Sequence, residues 1–409
     1  MALYAFDGTW NSDAKDDSFD TNVVRFVELY GQPDNVHYLE GVGTRLGAVG
    51  KILGGLFGLG GRTRIEEMTE HLRKTWENGD HVIDVVGFSR GAALALHFTY
   101  QLGDHGLVLS NGDVAKPRVR FLGLWDTVAS FGLSFDTVID FNEINLGWDI
   151  DVLSSCVDHC FHAMALDERR ESFQITRLNK SGDRENIYEL WFRGVHGDVG
   201  GGNGNDDRSN IALHWMLGRA DGVGVPVNFE KRKEEKYNQQ SRFAEISENK
   251  DVKIDPRRKA YKTDKFHPTA EPLYLVNGVK HKTRVYAKRR FNWSGVSLEK
   301  GKQYRISVAD NQIWEDGGID CSADGWDSAQ LRKIREIIVR NLESRRRCPD
   351  ANWFELVGSY GDEDDHNFRV GSNVTLIAER NADLYLFAND LKTMYFNNKG
   401  RLEVMIESI

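Results

Sequence analysis

The sequence predicts an α/β fold: a mainly parallel sheet with helices on both faces, followed by a smaller C-terminal β-sandwich. Three observations predict it. Apolar β-branched runs alternate with helical stretches over residues 3–220, the pattern of strands linked by crossover helices. From residue 271 onward, short strands with alternating polarity take over, the pattern of a sandwich. Between the two regimes, residues 229–269 are densely charged with mixed signs (Lys231-Arg232-Lys233-Glu234-Glu235, Arg257-Arg258-Lys259), which reads as a solvated excursion of the first domain or a linker. The expected domains are therefore 1–270 and 271–409.

Each element follows from local pattern. Residues 3–6 form a short apolar strand ending at Gly8, and a polar loop at 11–21 leads into a helix over 22–30. Residues 41–61 are rich in Gly and aliphatics and too glycine-dense for a stable helix. Two readings stand for them, a packed irregular loop or an apolar lip around Leu56 and Phe57 that admits substrate. An amphipathic helix covers 64–78 and stops at Gly79. Strands follow at 81–86, 119–125 and 187–192, with helices at 92–98, 151–166 and 210–220. In the C-terminal part, strands are expected at 283–287, 304–308, 374–378, 384–388 and 402–406. A helical insertion near 327–345 interrupts them, with Leu331, Ile334, Ile338 and Leu342 on one face.

Composition narrows the function. With 62 acidic and 53 basic side chains the net charge is −9, so duplex nucleic acid is not the expected partner. The four cysteines have no zinc spacing, and Cys156 and Cys160, one helical turn apart, read as core packing. No basic and apolar signal peptide opens the chain, and no stretch is long and apolar enough to span a bilayer. The expectation is synthesis in a cytoplasm, with export open only by a route that needs no cleaved signal.

The chemistry centres on Gly87-Phe88-Ser89-Arg90-Gly91-Ala92, which fits G-x-S-x-G between a strand and a helix. A serine hydroxyl needs a base within hydrogen-bond reach, and the base needs an orienting acid. In this class of turn the chain order is Ser, acid, His. Asp126 at one strand end and His196 at another supply that order, both at carboxyl edges where sites of open α/β sheets form. Asp167 and Asp198 are rival acids. The oxyanion needs two backbone donors: Arg90, after the serine, and Gly8 or Thr9, after the first strand. The expected reaction needs no cofactor.

Together, Phe6-Asp7-Gly8-Thr9-Trp10-Asn11, Gly41-Val42-Gly43-Thr44, the serine turn, Leu124-Trp125-Asp126-Thr127-Val128 and Gly194-Val195-His196-Gly197-Asp198-Val199-Gly200-Gly201 resemble the α/β-hydrolase family of bacterial type VI secretion lipase effectors. The resemblance implies an α/β-hydrolase-like fold and a phospholipase whose triad is Ser89, Asp126 and His196. It also implies a secretion apparatus and an inhibitor protein as partners. The C-terminal part is similar to the calcium-dependent galactose-binding bacterial lectin, through Leu384-Tyr385-Leu386-Phe387-Ala388-Asn389-Asp390 and Tyr395-Phe396-Asn397-Asn398-Lys399-Gly400. That resemblance implies a lectin-like sandwich with Ca²⁺ held by Asp390, Asn397, Asn398 and the Met394 carbonyl, an oxygen-only set suited to a hard cation. The helical insertion stands where the lectin has its other sugar-contacting loop.

The reading is a serine hydrolase cleaving lipid or phospholipid esters, expected as an antibacterial secreted effector, with its C-terminal domain positioning it on a glycan, a membrane surface or a partner. The alternatives are an esterase acting on small or glycan-linked acyl groups, and a binding protein with a silent hydrolase site.

Overall fold

The computed structural model describes residues 1–8, 19–40, 59–128, 152–170, 173–179, 183–241, 244, 246–247, 258, 260, 264–328 and 339–409. They divide into two compact units, Met1–Ala270 and Glu271–Ile409.

In the first unit the elements run β1 (Ala2–Phe6), α1 (Asn22–Leu29), β2 (Val36–Leu39), α2 (Leu59–Glu77), β3 (Ile83–Phe88), α3 (Arg90–Asp104), a small hairpin β4 (Leu107–Val108) and β5 (Val114–Ala115), β6 (Val119–Trp125), β7 (Val157–Ala165), β8 (Ile187–Phe192), α4 (His196–Gly200), α5 (Asp206–Gly222), α6 (Glu235–Asn238) and β9 (Lys265–Phe266). Seven strands form one sheet in the order β2-β1-β3-β6-β7-β8-β9, every neighbouring pair parallel. Alternation along β1 sorts its side chains. Tyr4 and Phe6 pack with Met68 and Leu72 of α2 and with α3, while Leu3 and Ala5 pack with Phe26 of α1 and Met216 of α5. Helices on both faces bury the sheet, so the central strands carry near-continuous apolar runs.

Three expectations change here. Residues 157–165 are strand β7, not part of a helix over 151–166. The segment is buried from Cys160 to Ala165 because both faces of a central strand are covered, and that removes the alternation that marks half-buried strands. Cys156 and Cys160 are buried and free, but not on a helical face. Second, α2 begins at Leu59, so the last glycines of the 41–61 segment open a helix. Third, part of the charged segment joins the sheet: Lys265 and Phe266 pair with Leu190 and Trp191 as the seventh strand.

The second unit is antiparallel. Its strands are β10 (Lys280–Tyr286), β11 (Asn292–Leu298), β12 (Gln303–Val308), β13 (Trp314–Asp316), β14 (Ile319–Cys321), β15 (Leu356–Tyr360), β16 (Asn367–Arg369), β17 (Asn373–Ile377), β18 (Ala382–Ala388) and β19 (Asn398–Ser408). One sheet runs β14-β13-β19-β12-β17 with β10 also on β19, and the other runs β11-β18-β15-β16. Val285, Ile306 and Val404 of the first pack with Val296, Leu356 and Leu386 of the second in one core, which makes a sandwich. Of the expected insertion, Leu331, Ile334 and Ile338 lie outside the described residues, and Leu342 packs against the sandwich core.

Candidate active site

The serine turn is built by glycines that leave no room for a side chain. A Cβ on Gly87 would lie 2.7 Å from Ala92 Cα, and one on Gly91 would lie 2.3 Å from the Phe6 carbonyl oxygen. The helix therefore starts hard against the strand ends. Ser89 takes the strain, with φ 58° and ψ −126°, a region that side chains rarely adopt and that concentrates at functional positions. Its amide donates to the Trp125 carbonyl at 3.0 Å and its carbonyl accepts from Val128 at 3.3 Å, tying the turn to the end of β6.

Asp126 follows β6 with φ 42°, again left-handed. Its carboxylate is fully buried and accepts four bonds. Oδ1 takes the Ala165 amide at 2.8 Å and Arg258 Nη1 at 2.6 Å; Oδ2 takes Arg258 Nη2 at 3.0 Å and His196 Nδ1 at 2.6 Å. Burial pushes this carboxyl upward, but Arg258 beside it and the His196 bond outweigh burial and hold it well below the usual carboxylate range.

His196 opens α4, a five-residue helix. Its backbone amide donates to Glu168 at 3.1 Å. Its ring stacks on Phe88, centroids 4.5 Å apart, and meets the Phe173 ring edge-on at 4.8 Å. Nε2 lies 2.8 Å from Ser89 Oγ. With Nδ1–H given to Asp126, Nε2 is left to accept the serine proton. Burial pushes the imidazole below its ordinary value, against the pull of Asp126 and Glu168.

The structure thus brings Ser89, His196 and Asp126 into one continuous hydrogen-bonded chain. The two rival acids do other work. Asp167 accepts from Arg193 and from the Gly194 amide, both at 2.7 Å. Asp198 accepts from Val195 N, Asn203, Asn205 and Ser247, which shapes the loop carrying the histidine. Arg90 is the first residue of α3, where helix N-terminal N–H groups and the dipole favour developing negative charge. Gly8 lies beside the serine, since a Cβ there would be 3.3 Å from Ser89 Cβ, but its amide donates to Asp7 Oδ1 at 2.7 Å. The Gly8 N–H that was expected to serve the oxyanion is here given to the buried Asp7 side chain, itself held by Thr21 and Tyr38. Thr9, Leu56 and Phe57 lie outside the described residues.

Sequence reasoning missed Glu168, His162 and Arg258. Glu168, buried and paired with Arg170, carried no signal beyond adjacency to Asp167. Arg258 lay in a charged run read as a solvated face. Its burial is visible only in three dimensions.

In the second unit, Asp390, Asn397 and Asn398 come together with Asp316 of β13, which the sequence did not single out. Asn398 Nδ2 donates to Asp390 Oδ2 at 3.2 Å, and Asn397 Nδ2 donates to Asp316 Oδ1 at 3.4 Å. The Met394 carbonyl accepts from the Asn397 amide at 3.4 Å. The side-chain oxygens of Asn397 and Asn398 are buried and accept no hydrogen bond among the described residues.

A parallel sheet with a strained serine at a strand-to-helix turn defines an α/β-hydrolase-type protein. The chain belongs to the family described as T6SS phospholipase effector, Tle1-like, catalytic domain, which matches residues 3–116 and 110–219. No curated protein matches. Similar solved structures include an uncharacterized protein from Pseudomonas aeruginosa, 22% identical over 59% of this chain and 48% of that one, with TM-score 0.41. The Tle1 effector bound to the VgrG spike of the type 6 secretion system is 15% identical over 97% of this chain and 70% of that one, with TM-score 0.33. The EclA N-terminal domain, a PllA-like lectin, is 20% identical over 32% of this chain and 98% of that one, with TM-score 0.24. The chain spans about half the length of the Pseudomonas aeruginosa protein.

Proposed function

We propose that the first unit hydrolyses carboxylic esters of lipids or phospholipids by a Ser-His-Asp mechanism. The supporting observation is the unbroken chain Ser89 Oγ to His196 Nε2 at 2.8 Å and His196 Nδ1 to Asp126 at 2.6 Å. Ser89 Oγ attacks the ester carbonyl while His196 takes its proton. The oxyanion develops beside the Arg90 amide at the α3 N-terminus, and its collapse expels the alcohol, to which His196 returns the proton. Water, activated by the same imidazole, then cleaves the acyl-serine and releases the carboxylic acid. Asp126 holds the imidazole tautomer throughout. The family description favours phospholipid over small esters, and it favours delivery by a secretion apparatus.

The second unit, on this reading, is a lectin-like surface-binding domain. Its side chains suit a hard cation, because the buried Asp390 and half-buried Asp316 carboxylates lie beside two asparagines whose amide oxygens have no partner among the described residues. Asp390, Asn397, Asn398, the Met394 carbonyl and Asp316 would hold Ca²⁺, which would supply a charge for anchoring sugar hydroxyls. A glycan-linked acyl substrate is the second reading that this cluster favours.

The test is a panel of phospholipid vesicles and short soluble esters, with products identified by mass and Ser89→Ala as control. Release of fatty acid from phospholipid by the wild type alone supports the reading. Unchanged activity of Ser89→Ala would sink it.

A further inference from the structure

Arg258 is a cation in an unusual place. Its guanidinium is buried, and it sits on both oxygens of the Asp126 carboxylate at 2.6 and 3.0 Å. The same two nitrogens donate to the Ala165 carbonyl at 2.7 Å and the Phe173 carbonyl at 2.6 Å. One planar fork therefore binds the end of β6, the end of β7 and the loop whose Phe173 ring abuts His196. A lysine cannot reproduce that arrangement, since it offers a point charge rather than a fixed fork.

The charge matters as much as the geometry. A buried carboxylate paired only with an imidazole would pull protons onto it strongly, because an opposite charge at contact distance favours the charged form. Here the guanidinium shares both carboxylate oxygens and offsets their charge. The groups facing His196 are Asp126 beyond β6, Glu168 and Arg170 beyond β7, and Asp198 on its own helix. Glu168 is itself offset by Arg170, at 2.9 Å, and Asp198 is engaged by donors from four residues. Besides Ser89 Oγ at Nε2, the ring meets the apolar rings of Phe88 and Phe173 among the described residues.

We infer that Arg258 is a positioning residue of this site: it locks the Asp126 carboxylate against the imidazole and offsets its charge, so that His196 remains an unprotonated base in mildly acidic medium. The inference rests on the triad reading above. It also assigns a role to the charged segment, which delivers the clamp from 132 residues beyond the acid it holds.

The experiment follows kcat/KM against pH with a soluble p-nitrophenyl ester for the wild type, Arg258→Gln and Arg258→Lys, each checked for cooperative melting. Arg258→Gln is expected to move the acid limb upward by about one unit, the scale of a lost neighbouring charge. Arg258→Lys is expected to keep the limb while lowering kcat at least threefold, through loss of the fork, with KM unchanged. A folded Arg258→Gln with the wild-type limb overturns the inference. Where Arg258→Gln fails to fold, Arg258→Lys decides, and a wild-type kcat overturns it. The wild type supplies a reading that needs no variant: by NMR of the intact chain, His196 should titrate below the ordinary value of about 6.5, and titration at or above it overturns the inference. Fluorophosphonate labelling of Ser89 separates the two levels. Labelling with an unmoved limb rejects only the role of Arg258, whereas no labelling and an active Ser89→Ala reject the triad itself.

Discussion

Thr127 donates its backbone N–H to His162 Nε2 at 3.1 Å, entirely within the protein interior. The bond supports the residue next to Asp126, whose left-handed backbone needs external restraint. It also sets the tautomer, because Nδ1 then carries the proton towards Glu189 at 3.2 Å. Glu189 in turn holds Arg177, which holds Asp264 just before β9.

Replacing His162 by Leu should therefore act from behind on Asp126, the proposed triad acid. It leaves the Thr127 amide and one Glu189 oxygen without this partner, and a buried unsatisfied polar group costs about 1–3 kcal/mol. The expected outcome is a loss of about 2–3 kcal/mol in urea unfolding and a fall in kcat larger than the change in KM. A variant with wild-type stability and kcat would show that this polar chain does not support the acid.

Most of this framework was legible in the sequence, and the exceptions have physical causes. β6 and β8 were readable to the residue because apolar runs end at polar or glycine positions. Ser89, Asp126 and His196, which the structure brings together, could be singled out because G-x-S-x-G imposes a geometry and a partner acid and base must lie at strand ends. β7 was misread because a strand covered on both faces loses its period. Arg258 and Asp316 were invisible because what matters in each is contact with a distant partner. A charged residue in a charged run, or an Asp before Gly317-Gly318, looks like surface in one dimension.

Glycine packing around the histidine gives a separable prediction. A Cβ on Gly200 would lie 1.9 Å from the Phe88 ring, which stacks on His196. Gly200→Ala should displace that ring and with it the imidazole, lowering kcat by about tenfold or more, as small misplacements of a catalytic group do. Gly91→Ala is different, because its Cβ would strike backbone oxygens of Phe6 and Asp7 that cannot yield. It should cost stability in the range of overpacked cores, about 1–3 kcal/mol or more. Melting curves and kcat measured on both variants distinguish the two outcomes.

The first unit should be acid-labile. Asp126 is held below its ordinary range by Arg258 and His196 despite burial, and Glu189 is held at about 2 by His162, the Leu178 amide and Arg177, again despite burial. A depressed carboxyl contributes stability that is present above its unfolded value and lost as pH falls through its folded one. His196 acts in the same direction, because burial lowers it and the unfolded chain takes up its proton first. Stability should thus begin to fall below about pH 6.5 through His196 and continue below about pH 4.5 through the carboxylates. Hydrogen exchange of peptides from β6 to β8, corrected for intrinsic rates, should show lost protection at pH 4 relative to pH 7. Equal protection at both would contradict it.

Calcium is the corresponding question for the second unit. The partnerless oxygens of Asn397 and Asn398 and the carboxylates of Asp316 and Asp390 would serve as ligands to a bound cation, and the native state would be stabilised by mass action. At a hundredfold excess over Kd the gain is about 2.7 kcal/mol, enough to raise the melting transition of this unit by several degrees. Asp390→Ala should abolish the rise, because that carboxylate bonds Asn398 directly. Asp316→Asn should weaken it while leaving the fold intact, since amide and carboxylate have the same shape and Trp326 can still donate to the retained oxygen. Calorimetry of the full chain with calcium and with chelator makes the comparison. Identical melting of wild type and Asp390→Ala across the titration would mean that the cluster is a set of turn contacts and binds no cation.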